Sequence, residues 1–188
     1  MNTKTARQIE EMKKQTIGVE IEMNNITRNK AAKIAAEFFG TGRFENTADR
    51  NSYCTWSAYD EQGREWKFQK DVSIAGIDSE KCEMVTPILN YSDIETLQEL
   101  VRILRKAGAK SDSTRGCGVH IHIGAKGHTA KTLRNLANIM ASHEQLLIDA
   151  LNLDEVRIRR YCKTVDPRFL EQVNRTKPET MSQLADVW

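Results

Sequence analysis

The sequence is poor in proline, cysteine and aromatic residues. Its 188 residues include three Pro and four Cys, and Phe, Trp and Tyr together make up 6% of the chain. The four cysteines are scattered and form no Cys-x-x-Cys pair, which excludes a zinc knuckle and a thioredoxin-like motif. Four thiols in a chain of this length do not make a disulfide framework, so we expect reduced, structural cysteines.

A strong charge of one sign and a long apolar run are also missing. Lys and Arg number 28 against 26 Asp and Glu, a formal net charge of +2, which argues against nucleic acid as a partner. No apolar run approaches the ~18–20 residues that cross a bilayer. The polar N-terminus lacks the apolar core of a signal peptide, so we expect a cytoplasmic protein with no membrane partner.

What is present is the pattern of an α+β domain. The length suits one domain, and we predict a polar extension over residues 1–15 followed by a single domain over residues 16–188. Alternating apolar residues predict a mainly antiparallel sheet with helices packed on one face. The predicted strands cover residues 16–23, 53–59, 65–70, 81–86 and 119–123.

Helix signals fall between these strands and after the last of them. The predicted helices cover residues 28–39 and 92–108, a long segment after Thr129, and a short segment over residues 155–163. Ser92 and Glu95 have the spacing of a capping box. Residues 41–49 and 71–80 are predicted to be loops, and residues 166–188 show only weak periodicity.

Paired carboxylates and paired imidazoles occur on two of the predicted strands. Because side chains alternate along a strand, Glu20 and Glu22 project from one face, and His120 and His122 likewise share a face. A solvated sheet face explains the glutamate pair alone. Both pairs together favour a metal site, and their ligand types suit Mg²⁺ or Mn²⁺, with a mononuclear Zn²⁺ site as an alternative.

Four short segments also follow one another in a characteristic order. They are Gly18-Val-Glu-Ile-Glu22, Lys67-Phe-Gln-Lys-Asp71-Val-Ser73, Cys82-Glu-Met-Val-Thr-Pro87 and Cys117-Gly-Val-His-Ile-His-Ile-Gly124. In that order they resemble the amidoligases, which belong to the carboxylate–amine ligase superfamily of glutamine synthetase and glutamate–cysteine ligase. The resemblance spans residues 17–124. It implies a sheet like that of the glutamine synthetase catalytic domain.

The resemblance also implies roles for individual residues. Glu20 and Glu22 match a Glu-x-Glu metal pair of that superfamily, and Glu83 is similar to a further metal carboxylate. By the same match His120 is a metal ligand and His122 lies near the phosphates of ATP. Asp71 is a further candidate metal ligand, since its segment aligns by pattern.

The implied activity is ATP-dependent joining of a carboxylate to an amine through an acyl phosphate. Mg²⁺ or Mn²⁺ held by the acidic residues would neutralise the ATP phosphates. Lys67, Arg115 and Arg160 are candidates for binding the carboxylate or a phosphate, although a solvated surface charge is the simpler interpretation of an isolated basic residue. The expected partners are small-molecule or peptide carboxylates and amines.

Two other functions remain open at this stage. The same acidic residues could activate water in a metal-dependent hydrolase, and a ligase sheet without activity could serve as a nucleotide-binding or partner-binding module. The family carries a later Glu-Phe-Arg-like strand, and no segment after Gly124 resembles it. Three explanations stay open: the domain is incomplete at its C-terminus, the protein has lost this strand, or the resemblance is misleading. The oligomeric state is left open.

Overall fold

A computed structural model describes residues 3–48 and 53–188 of the chain. The chain divides into two compact units, Met1–Gly124 and Ala125–Trp188. The predicted boundary after residue 15 stays a prediction. Within the described ranges no helix combines the length and the apolar character that crossing a membrane requires.

The first unit is built on a six-stranded antiparallel sheet. Its strands are β1 Ile17–Met23, β2 Phe44–Asn46, β3 Trp56–Tyr59, β4 Glu65–Gln69, β5 Cys82–Val85 and β6 Val119–Ile123. They lie in the order β2-β3-β4-β5-β1-β6, and every neighbouring pair is antiparallel. The predicted antiparallel sheet is thereby confirmed.

Helices cover one face of this sheet, as predicted: α2 Arg28–Phe38 and α3 Ile94–Lys106 contribute to the core there. Helix α1 Thr3–Lys13 precedes β1 and buries none of its residues. Four alanines of α2 and three leucines of α3 are buried in one core cluster, together with apolar side chains of β1, β3, β4 and β5. Trp66 and Phe68 of β4 are fully buried there. The polar side chains of the same strands consequently project from the opposite face. The apolar side chains of β6 are exposed.

An ion-pair network ties the β3–β4 turn to the start of α3. Arg64 donates from Nε to Asp60, at 2.8 Å, and from both terminal nitrogens to Asp93, at 2.9 and 3.0 Å. Asp60 also accepts a hydrogen bond from the indole of Trp66 at 3.1 Å. Asp60 is buried, and the network therefore fixes the edge of the core to a loop from a distant part of the sequence.

The predicted capping box at Ser92 and Glu95 is wrong. The box is formed two residues earlier by Asn90 and Asp93, whose carboxylate accepts from the Asn90 N–H at 2.8 Å. A 3₁₀ turn over Tyr91–Asp93 follows, and α3 begins only at Ile94. Asp93 is held in this position by Arg64, which is a tertiary contact that the local sequence does not reveal.

The second unit is built of helices alone. Thr129 caps the long helix after β6, as predicted, and its hydroxyl accepts from the Thr132 N–H. Two short helices occupy the region where periodicity is weak, and the sequence pattern does not predict either of them. No strand occurs in this unit. Its helices are α4 Ala130–Leu151, α5 Glu155–Arg160, α6 Pro167–Thr176 and α7 Met181–Val187.

Candidate functional site

The polar face of the sheet concentrates acidic and imidazole side chains on β1, β5 and β6. Glu20 pairs with His120 across β1 and β6, and Glu22 pairs with Glu83 across β1 and β5. His122 stands opposite Gly18. Residues that pair across antiparallel strands project to the same face, so the structure brings these predicted residues together.

Three carboxylates form the centre of this face. One oxygen from each of Glu22, Asp71 and Glu83 lies within 4.8 Å of the others. Glu22 and Glu83 are only 5% and 6% exposed, whereas Asp71 lies on the loop after β4 and is half-buried. The facing of Glu83 could not be read from its short strand, and the pairing with Glu22 defines it.

Each of these carboxylates is held by a hydrogen bond. The Gly118 N–H donates to Glu22 Oε2 at 2.6 Å, and the Gln69 amide nitrogen donates to Glu83 Oε2 at 2.8 Å. Asp71 Oδ1 accepts from the backbone N–H of Ser73 at 2.6 Å. The carboxylates are therefore oriented before any ligand binds, which is the arrangement that ligand-holding groups in metal sites require.

The electrostatics of the cluster bear most strongly on Glu83. Burial raises the pKa of the Glu83 carboxyl above its ordinary value. The hydrogen bond from Gln69 opposes this, while the neighbouring carboxylates, Glu20, Asp71 and Glu22, raise the pKa further. A nearby positive charge would therefore stabilise the ionised form of Glu83.

The two histidines border the carboxylates on the side of β6. His120 lies 3.8 Å from Glu22, through Nε2, and 4.0 Å from Glu20, through Nδ1. His122 Nε2 lies 3.4 Å from Glu20. Both imidazoles are more than half exposed, at 52% and 61%. His120 therefore faces both glutamates of β1, whereas His122 faces Glu20 and solvent.

The donor set of this cluster fits a divalent cation. Three carboxylate oxygens close together, with a fourth carboxylate and two imidazoles beside them, are ligands that suit Mg²⁺ or Mn²⁺. The fit rests on the convergence of the buried pair Glu22 and Glu83 with Asp71. Such a buried group of like charges needs a compensating positive charge.

The three predicted basic residues lie on different elements of the chain. Lys67 projects from the same face, because it pairs with Val85, which in turn pairs with Glu20. Lys67 and Glu20 are therefore separated by two strand spacings, about 10 Å, with β5 between them. Arg115 is exposed in the 3₁₀ turn Ser113–Arg115 that leads into β6. Arg160 is exposed in α5 of the second unit, and its role stays a prediction.

Sequence reasoning missed the groups that hold the carboxylates. Gln69 lies in the quoted segment around Lys67 and Asp71, and it shares the face of Lys67 because the two are separated by one residue. That spacing was a usable signal. The Gly118 N–H and the Ser73 N–H carry no such signal, since backbone donors are placed by the fold alone.

An antiparallel sheet with this cluster on one face defines an α+β protein with a candidate divalent-cation centre. A family model with the description "Putative amidoligase enzyme" matches residues 13–188. The chain therefore belongs to the amidoligase family, and membership indicates a ligase activity. No curated protein and no solved structure matches the chain.

Proposed function

We propose that this protein is an ATP-dependent carboxylate–amine ligase. One observation carries the proposal: Glu22, Asp71 and Glu83 converge within 4.8 Å on the sheet face of an amidoligase-family chain. The four ordered segments further support a relationship to glutamine synthetase and glutamate–cysteine ligase. The substrates are a small-molecule or peptide carboxylate, an amine and ATP.

Glu22, Asp71 and Glu83 would hold a divalent cation, with Glu20 and His120 beside them. Bound Mg²⁺ or Mn²⁺ would neutralise phosphate oxygens and the charge that develops during phosphoryl transfer. The hydrogen bonds to Glu22 and Glu83 keep both carboxylates aimed into the centre. This orientation is set by the protein in advance and is not created by the ligand.

The groups around the cluster suit an anionic substrate. Lys67 presents an ammonium from the same sheet face and can anchor a carboxylate or a phosphate oxygen. His122 faces outward beside Glu20, where a protonated imidazole would donate to a phosphate oxygen. Arg115 lies in the turn that precedes the histidine strand and adds a third cationic group.

The reaction follows from the low reactivity of a carboxylate towards an amine. The substrate carboxylate attacks the γ-phosphorus of ATP, the bond to ADP breaks, and an acyl phosphate forms. The amine then attacks the acyl carbon, phosphate leaves with the bonding electrons, and the nitrogen loses a proton to give the amide. The residues of this chain bind and orient the anionic partners throughout both steps.

The test measures ADP release from Mg·ATP with panels of carboxylates and amines, added singly and in pairs. A ligase releases ADP and phosphate in equal amounts only when a carboxylate and an amine are both present. A Glu22→Gln variant should lose at least ~100-fold in rate, because the cation loses a buried ligand. Turnover without an amine would indicate a hydrolase, and nucleotide binding without turnover would indicate a binding module.

A further inference from the structure

Two loops that carry groups of the carboxylate centre are joined through their backbones. One follows β4 and contains Asp71 and Ser73, and the other is the turn before β6. The Ala75 N–H donates to the Arg115 carbonyl at 2.8 Å. Next to this bond, Gly116 lies so close to Ser73 that a Cβ added at Gly116 would be 2.6 Å from the Ser73 carbonyl oxygen. A side chain at position 116 has no room.

The backbone conformation at position 116 also favours glycine. Its φ is +80°, in the left-handed region that favours glycine. The atom that an added Cβ would meet belongs to the backbone, so it cannot rotate away as the end of a long side chain can. A methyl group at this position would therefore push the Ser73 peptide away from the turn.

A displacement of Ser73 would also displace a carboxylate of the centre. The Ser73 N–H donates to Asp71 Oδ1 at 2.6 Å, and Asp71 is one of the three converging carboxylates. The same turn ends at Gly118, whose N–H holds Glu22. The atoms close to Gly116 belong to the Ser73 loop, so Asp71 is the carboxylate that a side chain at position 116 would displace.

We propose that Gly116 is a positioning residue of this centre, which holds Asp71 beside Glu22 and Glu83 by leaving space for Ser73. The proposal rests on the proposed function, because it assumes that the centre binds a cation. Gly116 acts on the cation only through the Asp71 loop. Its replacement should therefore lower cation affinity, and the loss should depend on Asp71.

The test is calorimetric titration of Mn²⁺ into the full chain. We expect Gly116→Ala to weaken Mn²⁺ binding by about 10–100-fold, the usual effect of losing an outer contact in a metal site. Gly63→Ala is the matched control, because Gly63 also has a left-handed φ, +76°, but nothing lies within 4 Å of its added Cβ. It carries similar backbone strain and should leave Mn²⁺ affinity unchanged. Thermal unfolding of each variant reports separately on folding.

Two further variants complete the test. In an Asp71→Asn background, Gly116→Ala should cause no additional loss of affinity. Ala75→Pro removes the N–H that bonds to Arg115 and places a ring carbon against the Arg115 carbonyl. It therefore separates the same two loops and should also weaken Mn²⁺ binding if Gly116→Ala does not fold.

Mn²⁺ affinity in Gly116→Ala and Ala75→Pro equal to that of the wild type would overturn the role of Gly116 while the proposed function stands. A full additional loss of affinity from Gly116→Ala in the Asp71→Asn background would do the same. Absence of Mn²⁺ binding to the wild type would overturn the centre itself and with it this role.

Discussion

Glu22 and Glu83 stand directly opposite each other in the β1–β5 pair, and both are almost completely buried. Like charges in directly opposed positions of neighbouring strands destabilise a sheet. The loop after β4 nevertheless places Asp71 beside them as a third carboxylate. An arrangement that lowers the stability of the free protein is consistent with a binding centre, where a cation offsets the repulsion.

Replacing one member of this pair should stabilise the cation-free protein. We expect Glu83→Gln to raise the free energy of unfolding by up to about 1 kcal/mol, because it removes a like-charge contact while its amide can still bond to Gln69. Urea unfolding in the presence of a chelator measures the change. Glu99→Gln, on the exposed side of α3, is the control and should stay within about 0.5 kcal/mol of wild type. A loss of stability in Glu83→Gln would contradict the repulsion.

The stability of the cation-free protein should also depend on pH in a defined direction. Burial and the neighbouring carboxylates raise the pKa of Glu83 above 4.5, so the folded state holds this proton more strongly than the unfolded state. The contribution is fully present below pH 4.5 and is lost as the pH rises through the raised pKa. Urea unfolding at several pH values across this range should show this decline in the free energy of unfolding of wild type and not of Glu83→Gln. The same pH dependence in both proteins would contradict the role of Glu83.

Gln69 should matter for cation binding although it is not a cation ligand. Its amide orients Glu83 through the 2.8 Å hydrogen bond. We expect Gln69→Met, which keeps the size of the side chain, to weaken Mn²⁺ binding by about 10–100-fold. Gln98→Met on the exposed surface of α3 provides the comparison and should bind as wild type does. Unchanged affinity in Gln69→Met would show that Glu83 needs no support.

Arg64 should be important for stability and not for cation binding. Its removal in Arg64→Leu leaves Asp60 and Asp93 without their shared cation, and we expect a loss of roughly 3 kcal/mol. Denaturant unfolding at neutral pH measures it. A loss below about 0.5 kcal/mol would place this network among ordinary surface ion pairs.

The pH dependence of the Arg64 effect provides an internal check. The hydrogen bonds from Arg64 hold the pKa of Asp93 below its ordinary value of 3.8. Stability from this pair is therefore present above pH 3.8 and is lost as the pH falls through the lowered pKa. The difference in free energy of unfolding between wild type and Arg64→Leu should therefore become smaller as the pH falls through that range.

The strands that carry the site could be predicted because alternation determines which side chains share a face. Val19 and Ile21 define the buried face of β1, and this was enough to place Glu20 and Glu22 on the other. Glu83 could not be placed in this way, since its facing depends on pairing with β1. Asp71 lies on a loop, and its position beside Glu22 is a tertiary result.

The missed elements have individual reasons. Strand β2 is three residues long, too short for a period to appear, and it exists through pairing with β3. Helix α1 is mostly polar, with few apolar residues to mark a face, and it buries none of its residues. Helix α6 did carry a signal: Asp166 caps it, and Pro167 occupies its first turn, a combination typical of a helix start.

The most direct measurement is a calorimetric titration of Mg²⁺ with ATP into wild type and a Glu20→Gln/Glu22→Gln variant. Both substitutions keep the shape of the side chains and remove the charges on β1 that face His120, His122 and Glu83. We expect saturable binding by wild type and a loss of at least ~100-fold in the variant. Equal binding by the two proteins would contradict the assignment of the sheet face as the cation and ATP site.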